Sequence, residues 1–230
     1  MEIYNNEQDQ RLFDMLYDNP EMIVYLKNRY QTDRIWKFCI DRESTLFGQM
    51  ENPSIEMCEF ALDVDGENII PLVTKFTDVK LTKRMIWIAM RTFPGAILHV
   101  PRYMLDEDML NAAFDAQPEL LTAFPNLSYE YLLRRIKDHP GDVVWLDNPR
   151  DELIHLALEK NPYLCVHFTS LTPHMINIIR AQNPGLADMY MNTLESEIDD
   201  YAENSEEEGP TVDQWTDTHQ LRCDDVKCSY

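Results

Sequence analysis

Four prolines recur at a fixed interval of 22 residues in the second half of the chain: Pro118, Pro140, Pro162 and Pro184. Segments aligned on them share one pattern of apolar and polar residues. The pattern continues back to about residue 8, where other residues often replace the proline. A fixed interval of this length indicates a repeat architecture in which each copy is one supersecondary unit. We therefore expect about eight copies between residues 8 and 192, with insertions near residues 74–80 and 101–104.

Each copy begins with a predicted α-helix of about ten residues. Twelve residues before the proline position stands a residue whose side-chain oxygen can cap a helix, except at Arg150. The six predicted caps are Thr32, Ser54, Thr82, Asp106, Ser128 and Thr172. Apolar pairs then recur at helical spacing, as at Met57-Cys58 and Ala61-Leu62.

The proline position begins a second, shorter predicted helix. Proline is favoured at the first helical position because the amide that it lacks would have no helical partner. The predicted caps in front of it are Asn19, Asp65, Asn161 and Asn183. Asparagines eight positions after the proline position are predicted to turn the chain out of the helix in the left-handed conformation. They are Asn28, Asn52, Asn126, Asn148 and Asn192.

One copy of 22 residues cannot bury its own apolar face, so neighbouring copies must stack. The sequence thus predicts an all-α protein: an α-solenoid of about eight helix-turn-helix repeats over residues 1–202, followed by an acidic tail over residues 203–230. The regular proline interval argues against a globular helix bundle. No apolar run approaches the roughly 20 residues that span a bilayer. The acidic start "MEIYNNEQDQRL" is unlike a secretory signal, so a cytoplasmic location is expected.

The net charge of −21 is concentrated toward the end of the chain. Residues 193–230 hold 12 acidic against 2 basic residues, while residues 1–192 hold 29 against 18. This balance disfavours direct binding to nucleic acid and suits a protein partner with a basic surface. The expected partner-binding residues are Trp215, Leu221, Glu206, Glu207 and Glu208. Two alternatives stay open for the tail: a disordered, solvating segment, or one that orders against a basic or apolar groove.

No motif of a known chemistry is present. The sequence has no glycine-rich phosphate loop, no His-Glu-x-x-His, no Gly-x-Ser-x-Gly and no Cys-x-x-Cys. We therefore predict no catalytic residue, no cofactor and no metal site. The segment "DVDGEN" at residues 63–68 is interpreted as the turn between two helices, because its glycine and acids do not match a calcium loop.

The histidines and cysteines give no stronger signal. His219, Cys223 and Cys228 could supply three metal ligands, but the fourth is missing, and two exposed tail thiols are the favoured interpretation. His155, His167 and His174 occupy different repeat positions and are not expected to converge. Cys39, Cys58 and Cys165 lie in apolar stretches and are predicted to be buried free thiols in a reducing compartment.

Two copies, "PSIEMCEFALDVDGENIIPL" (residues 53–72) and "PRDELIHLALEKNPYLCVHF" (residues 149–168), resemble a family of short helical repeats of unknown function. Such repeats are found in giant viruses, large phages and some bacterial effectors. The resemblance covers about 180 residues, and its motifs are structural, so it implies an interaction module and no activity.

The function expected from these features is a non-enzymatic protein-interaction scaffold. With the resemblance, the expected setting is a virus or phage, in the host cytoplasm or the virion, and the task is virion assembly or contact with a host protein. The alternative is an acidic nucleic-acid mimic that inhibits a DNA- or RNA-binding host or defence protein. A stripe of carboxylates along one face would favour the mimic, and an apolar patch among scattered acids would favour the scaffold. The oligomeric state is left open.

Overall fold

The structure, a computed structural model, describes residues 7–193, with side-chain burial from residue 10. In that stretch the chain is all-helical and has no strand, as predicted. Short helices follow one another and pack in succession. The α-helices are α1 (Glu7–Asp18), α2 (Asp33–Ile40), α3 (Ile55–Val64), α4 (Ile69–Thr74), α5 (Lys83–Met90), α6 (Glu107–Ala116), α7 (Tyr129–Asp138), α8 (Asp151–Lys160) and α9 (Pro173–Gln182).

Short 3₁₀ helices follow most of the longer α-helices, and they begin at the proline position. These are Pro20–Tyr25, Ser44–Gln49, Gly66–Asn68, Pro94–Leu98, Pro118–Ala123, Pro140–Trp145 and Pro162–His167. Gly66–Asn68 continues directly into α4, and a helical segment over 184–193 follows α9. Two further 3₁₀ turns, Asn28–Tyr30 and Arg102–Met104, lie in connections.

Five of the six predicted caps at the start of the α-helices are confirmed. In each, the side-chain oxygen accepts a hydrogen bond of 3.1–3.3 Å from the amide three residues later. The caps are Ser54, Thr82, Asp106, Ser128 and Thr172. The residue that donates is itself buried: Met57, Met85, Met109, Tyr131 and Met175. Thr32 makes no such bond, so the prediction for α2 is wrong.

The caps of the second helices are confirmed in part. Asn161 accepts from the amide of Tyr163 at 3.1 Å, and Asp65 accepts from Glu67 at 3.0 Å. Asn183 accepts from the amide three residues later at 3.1 Å. Asn19 makes no side-chain cap.

The predicted left-handed asparagines are wrong at four of five positions. Asn148, with φ of 55°, is the one non-glycine residue with positive φ among the described residues. At Asn28 and Asn52 the reason lies in how the preceding 3₁₀ helices end. Leu26 and Met50 close them in an extended conformation, with ψ of 152° and 154°. The chain therefore leaves the helix through extended backbone, and no left-handed residue is needed.

Contacts divide the described residues into two compact units. The first holds residues up to Leu127 together with Trp145–Asp147, and the second holds Ser128–Val144 and residues from Asn148 onward. In the first unit α2 packs on α3 and α3 packs on α5. In the second, α7 packs on α8 and α8 packs on α9. Each unit has its own buried apolar residues, including Phe47 and Phe114 in the first and Leu158 and Ile179 in the second.

Gly66 stands at the proline position in the first unit, where two helices approach closely. Its amide donates to the Thr92 hydroxyl at 2.8 Å. A Cβ at Gly66 would lie 2.1 Å from the carbonyl oxygen of Ala89. Only glycine satisfies both contacts, because any side chain would collide with backbone and proline has no amide to donate.

A buried ion pair interrupts the apolar core of the second unit. The Nε of Arg135 donates to Oδ2 of Asp142 at 2.6 Å, and both residues are 5% exposed. The position of Arg135 is filled in the other copies by small or apolar residues, namely Cys39, Ala61, Ala89, Ala113, Ala157 and Ile179. The position of Asp142 is filled by Leu46, Asn68, Ala96, Leu120, Leu164 and Leu186. One copy thus carries opposite charges at two positions that hold uncharged residues in the copies named here.

This exchange gives a stability prediction. Arg135→Ala leaves the Asp142 carboxylate buried without its partner, and we expect it to lower the free energy of unfolding by about 3–5 kcal/mol. The double variant Arg135→Ala/Asp142→Leu restores the residues found in other copies, and it should recover most of that loss. Urea denaturation followed by circular dichroism measures both. A double variant as unstable as the single one would contradict the prediction.

Candidate functional site

An open groove of about 610 Å³ crosses α2, α3 and α5 in the first unit. We call it the aromatic groove, because Phe60 and Trp87 line it. The remaining lining residues are Lys37, Glu56, Glu59, Asp63, Arg84, Ile88 and Arg91. All nine side chains come from four positions in the repeat: three, six, seven and ten residues before the proline position. Those positions form one face of a helix, opposite the buried apolar pairs.

The helices that carry the aromatic groove are linked by side chains of opposite charge. Lys37 of α2 bonds to Glu56 of α3 at 2.7 Å, and Glu59 of α3 bonds to Arg84 of α5 at 2.9 Å. Both pairs join the residue seven positions before the proline position of one copy (position minus seven) to the residue ten positions before it in the next copy (position minus ten). Arg91 also pairs with Asp63. Position minus seven of one copy therefore lies next to position minus ten of the following copy, whichever residues stand at these positions.

These pairs neutralise the carboxylates at the aromatic groove. The hydrogen bond and the charge of Lys37 lower the pKa of Glu56. Next to the groove, Lys83 bonds to Asp106 at 2.6 Å, and this bond together with the Met109 amide lowers the pKa of Asp106. Exposed ion pairs of this kind contribute little to the free energy of unfolding. Their effect is on the surface potential, because no uninterrupted row of free carboxylates runs along this groove.

The aromatic side chains of the groove were not singled out by the sequence analysis. Trp87 is 39% exposed, while Phe60 is half-buried with the Lys37 ammonium 5.5 Å from its ring centre. A large indole left accessible among charged side chains is typical of a contact residue. The signal that could have found it is its repeat position, since position minus seven lies on the face opposite the buried pairs.

Two of the three histidines converge, contrary to the sequence interpretation. The Nε2 atoms of His155 and His174 are 2.9 Å apart, and Glu159 lies 3.8 Å from His155 Nδ1. The two histidines occupy positions minus seven and minus ten of successive copies, the same relation as Lys37 and Glu56. Different repeat positions were therefore compatible with contact. No group of three or more metal-ligating side chains is present among the residues that the structure describes.

The predicted partner-binding residues Trp215, Leu221, Glu206, Glu207 and Glu208 lie outside the described residues. The same holds for His219, Cys223 and Cys228, and for the predicted boundary between residues 202 and 203. Within residues 7–193, no helix is long and apolar enough to cross a membrane.

Comparison with protein-family models, with characterised protein sequences and with solved structures gave no match.

The thiols of Cys39, Cys58 and Cys165 are free and buried, as predicted. Burial raises the pKa of Cys39 and of Cys58 to about 11 from an ordinary value of 9.0, and it raises the pKa of Cys165 as well. The reactive form of a cysteine is the thiolate. Groups buried in this way are packing residues and poor nucleophiles near neutral pH.

The raised pKa values predict slow alkylation. At pH 8 a shift of the pKa from 9 to about 11 lowers the thiolate fraction about a hundredfold. In a Cys223→Ser/Cys228→Ser background, iodoacetamide should label Cys39 and Cys58 rapidly only after denaturation, as followed by mass spectrometry. Because the folded state holds these protons more tightly, the stability they contribute is complete below pH 9 and falls as the pH rises toward 11. Native labelling at the rate of a free cysteine would contradict this.

Proposed function

We propose that this chain is a non-enzymatic scaffold that binds a protein segment in the aromatic groove. The chain would form an α-solenoid of about eight repeats of about 22 residues. The observation that carries the proposal is the groove itself, an open surface with an accessible Trp87 among charges that are already paired. Tryptophan in such a setting contributes a large contact area at little cost in conformational freedom.

The chemistry of the groove defines the bound segment. An aliphatic or aromatic side chain fits against Trp87 and Ile88, where water covers apolar surface in the free protein. The rim offers Arg84 and Arg91 on one side and Glu59 and Asp63 on the other, each pair satisfied internally. A segment with one apolar anchor and polar flanks therefore binds without leaving a rim charge unpaired.

The paired rim favours the scaffold over a nucleic-acid mimic. A mimic needs free carboxylates in a row to occupy a basic groove. At the aromatic groove Glu56, Glu59 and Asp63 each have a lysine or arginine partner. The resemblance to viral helical repeats adds a setting to the proposal: a virus or large phage, with the protein in the host cytoplasm or virion, in virion assembly or in contact with a host protein.

The proposal predicts that one residue controls partner recovery. Trp87→Ala should reduce recovery of the partner at least tenfold, because an aromatic anchor at a protein interface contributes about 2 kcal/mol or more. Affinity purification from the native host with quantitative mass spectrometry measures this. Tyr163→Ala is the matched control, because it removes a 63% exposed aromatic ring from the second unit, and it should change nothing.

Circular dichroism melting checks that Trp87→Ala keeps the fold. Equal recovery of every specific partner with wild type and Trp87→Ala would overturn the aromatic groove as the binding site. Recovery of a nucleic-acid enzyme that is unaffected by Trp87→Ala and lost with moderate salt would support the mimic instead.

A further inference from the structure

A second cavity, of about 370 Å³, opens at the first turn of α2 in the same unit. Its walls come from the ends of the 3₁₀ helices Pro20–Tyr25 and Ser44–Gln49 and from the start of α2. Val24, Leu26 and Met50 give it an apolar part. It shares no lining residue with the aromatic groove. We call it the α2 pocket.

Trp36, in the wall of the α2 pocket, carries an indole N–H that is not fully buried. Trp36 lines the pocket and is only 5% exposed. Its indole N–H has no hydrogen-bond partner among the described residues. Every fully buried side-chain nitrogen or oxygen in this part of the chain does have a partner. The indole nitrogen therefore keeps some accessible surface, and Trp36 is one of the residues that line the α2 pocket.

Gln31, which also lines the α2 pocket, offers a fixed acceptor. The Nε2 of Gln31 donates to the carbonyl oxygens of Ile23 at 3.1 Å and Leu26 at 2.9 Å. These two bonds fix which end of the amide is nitrogen, because only the nitrogen can donate. The Oε1 of Gln31 remains free to accept. A fixed donor and a fixed acceptor in one small cavity match the carbonyl and the N–H of a peptide group.

The charge at the α2 pocket differs from that at the aromatic groove. Asp33 and Glu51 both line the pocket, and neither has an ion-pair partner among the described residues. Lys75 donates to the carbonyl oxygens of Gly48 and Met50 at 2.6 Å and 2.8 Å and pairs with neither carboxylate. The lining residues include no lysine or arginine. Two free carboxylates beside an apolar wall favour a cation with an aliphatic stem.

We propose that the α2 pocket binds a peptide segment that contains a lysine or arginine. The indole N–H of Trp36 donates to a main-chain carbonyl of that segment, and Oε1 of Gln31 accepts from a main-chain N–H. The cationic side chain lies along Met50 and reaches Asp33 and Glu51. The size of the cavity suits one or two residues of an extended peptide. This inference rests on the proposed function only in naming a protein segment as the ligand.

The test follows the indole N–H signal of Trp36 by nuclear magnetic resonance. The signal is assigned by its loss in Trp36→Phe, and the full-length protein is titrated with the peptide acetyl-Gly-Ala-Arg-Ala-Gly-amide. We expect this signal to shift, and we expect the Kd to be at least tenfold lower than for the same peptide with citrulline, the uncharged analogue, in place of arginine. The double variant Asp33→Asn/Glu51→Gln should bind the two peptides equally. Asp41→Asn, an exposed acid at the other end of α2, is the matched control and should behave as wild type.

Three results would overturn the inference. They are no shift of the Trp36 signal at saturating peptide, equal affinity for the arginine and citrulline peptides, and equal affinity for guanidinium ion alone, which would indicate a simple cation site. Trp87→Ala separates this inference from the proposed function, because it should leave the titration unchanged. A failed titration leaves the Trp87 experiment standing, and a failed Trp87 experiment leaves the titration standing.

Discussion

The hydrogen bond that a capping side-chain oxygen accepts from the amide three residues later links local structure to the core at five of the α-helices. A helix of eight to ten residues is marginal in water, since few of its hydrogen bonds offset the cost of starting it. Here the capped amide belongs to a buried methionine in four copies and to a buried tyrosine in a fifth. The cap therefore fixes where the helix begins, and thereby which residue enters the core. The contacts that these five helices make with their neighbours depend on that register.

The sequence predicted best those features of the fold that depend on only a few neighbouring residues. The caps and the proline position follow from one or two neighbouring residues, so Ser54 and Asn161 were identified correctly. The left-handed prediction is wrong at Asn28 and Asn52 because the chain leaves the preceding 3₁₀ helices through extended residues, Leu26 and Met50. The Arg135–Asp142 pair is hard to foresee, because each charged residue alone suggests an exposed position. The signal in the sequence is two opposite charges seven residues apart, at positions that hold uncharged residues in the other copies.

To predict which surface side chains contact each other, one needs to know how neighbouring copies pack. Lys37 and Glu56 are 19 residues apart, as are His155 and His174. That interval is the repeat of 22 residues less about one helical turn, so it brings residues of adjacent helices side by side. With this interval of 19 residues, the contact between the two histidines can be predicted from the sequence. The same holds for the charge pairs at the aromatic groove. The α2 pocket cannot be predicted in this way, because it depends on the free indole N–H of Trp36.

The two cavities of the first unit are opposite in electrostatic character. At the aromatic groove the acids are paired across helices, so an apolar anchor sets the affinity. At the α2 pocket the acids are free, so a cation is favoured. A strongly acidic chain can thus present both a nearly neutral and a negative contact on one small unit. Net charge alone would have suggested a uniform negative surface.

Gly66 shows what is lost when repeats are averaged. A designer who idealises this protein by writing the commonest residue at each repeat position would place proline there. That change would remove the amide that donates to Thr92 and drive a ring into the Ala89 carbonyl. A residue that departs from the common pattern in one copy can therefore be required for the contact with the neighbouring copy. When such a chain is idealised, residues have to be chosen for each pair of adjacent copies together, and not for each repeat position separately.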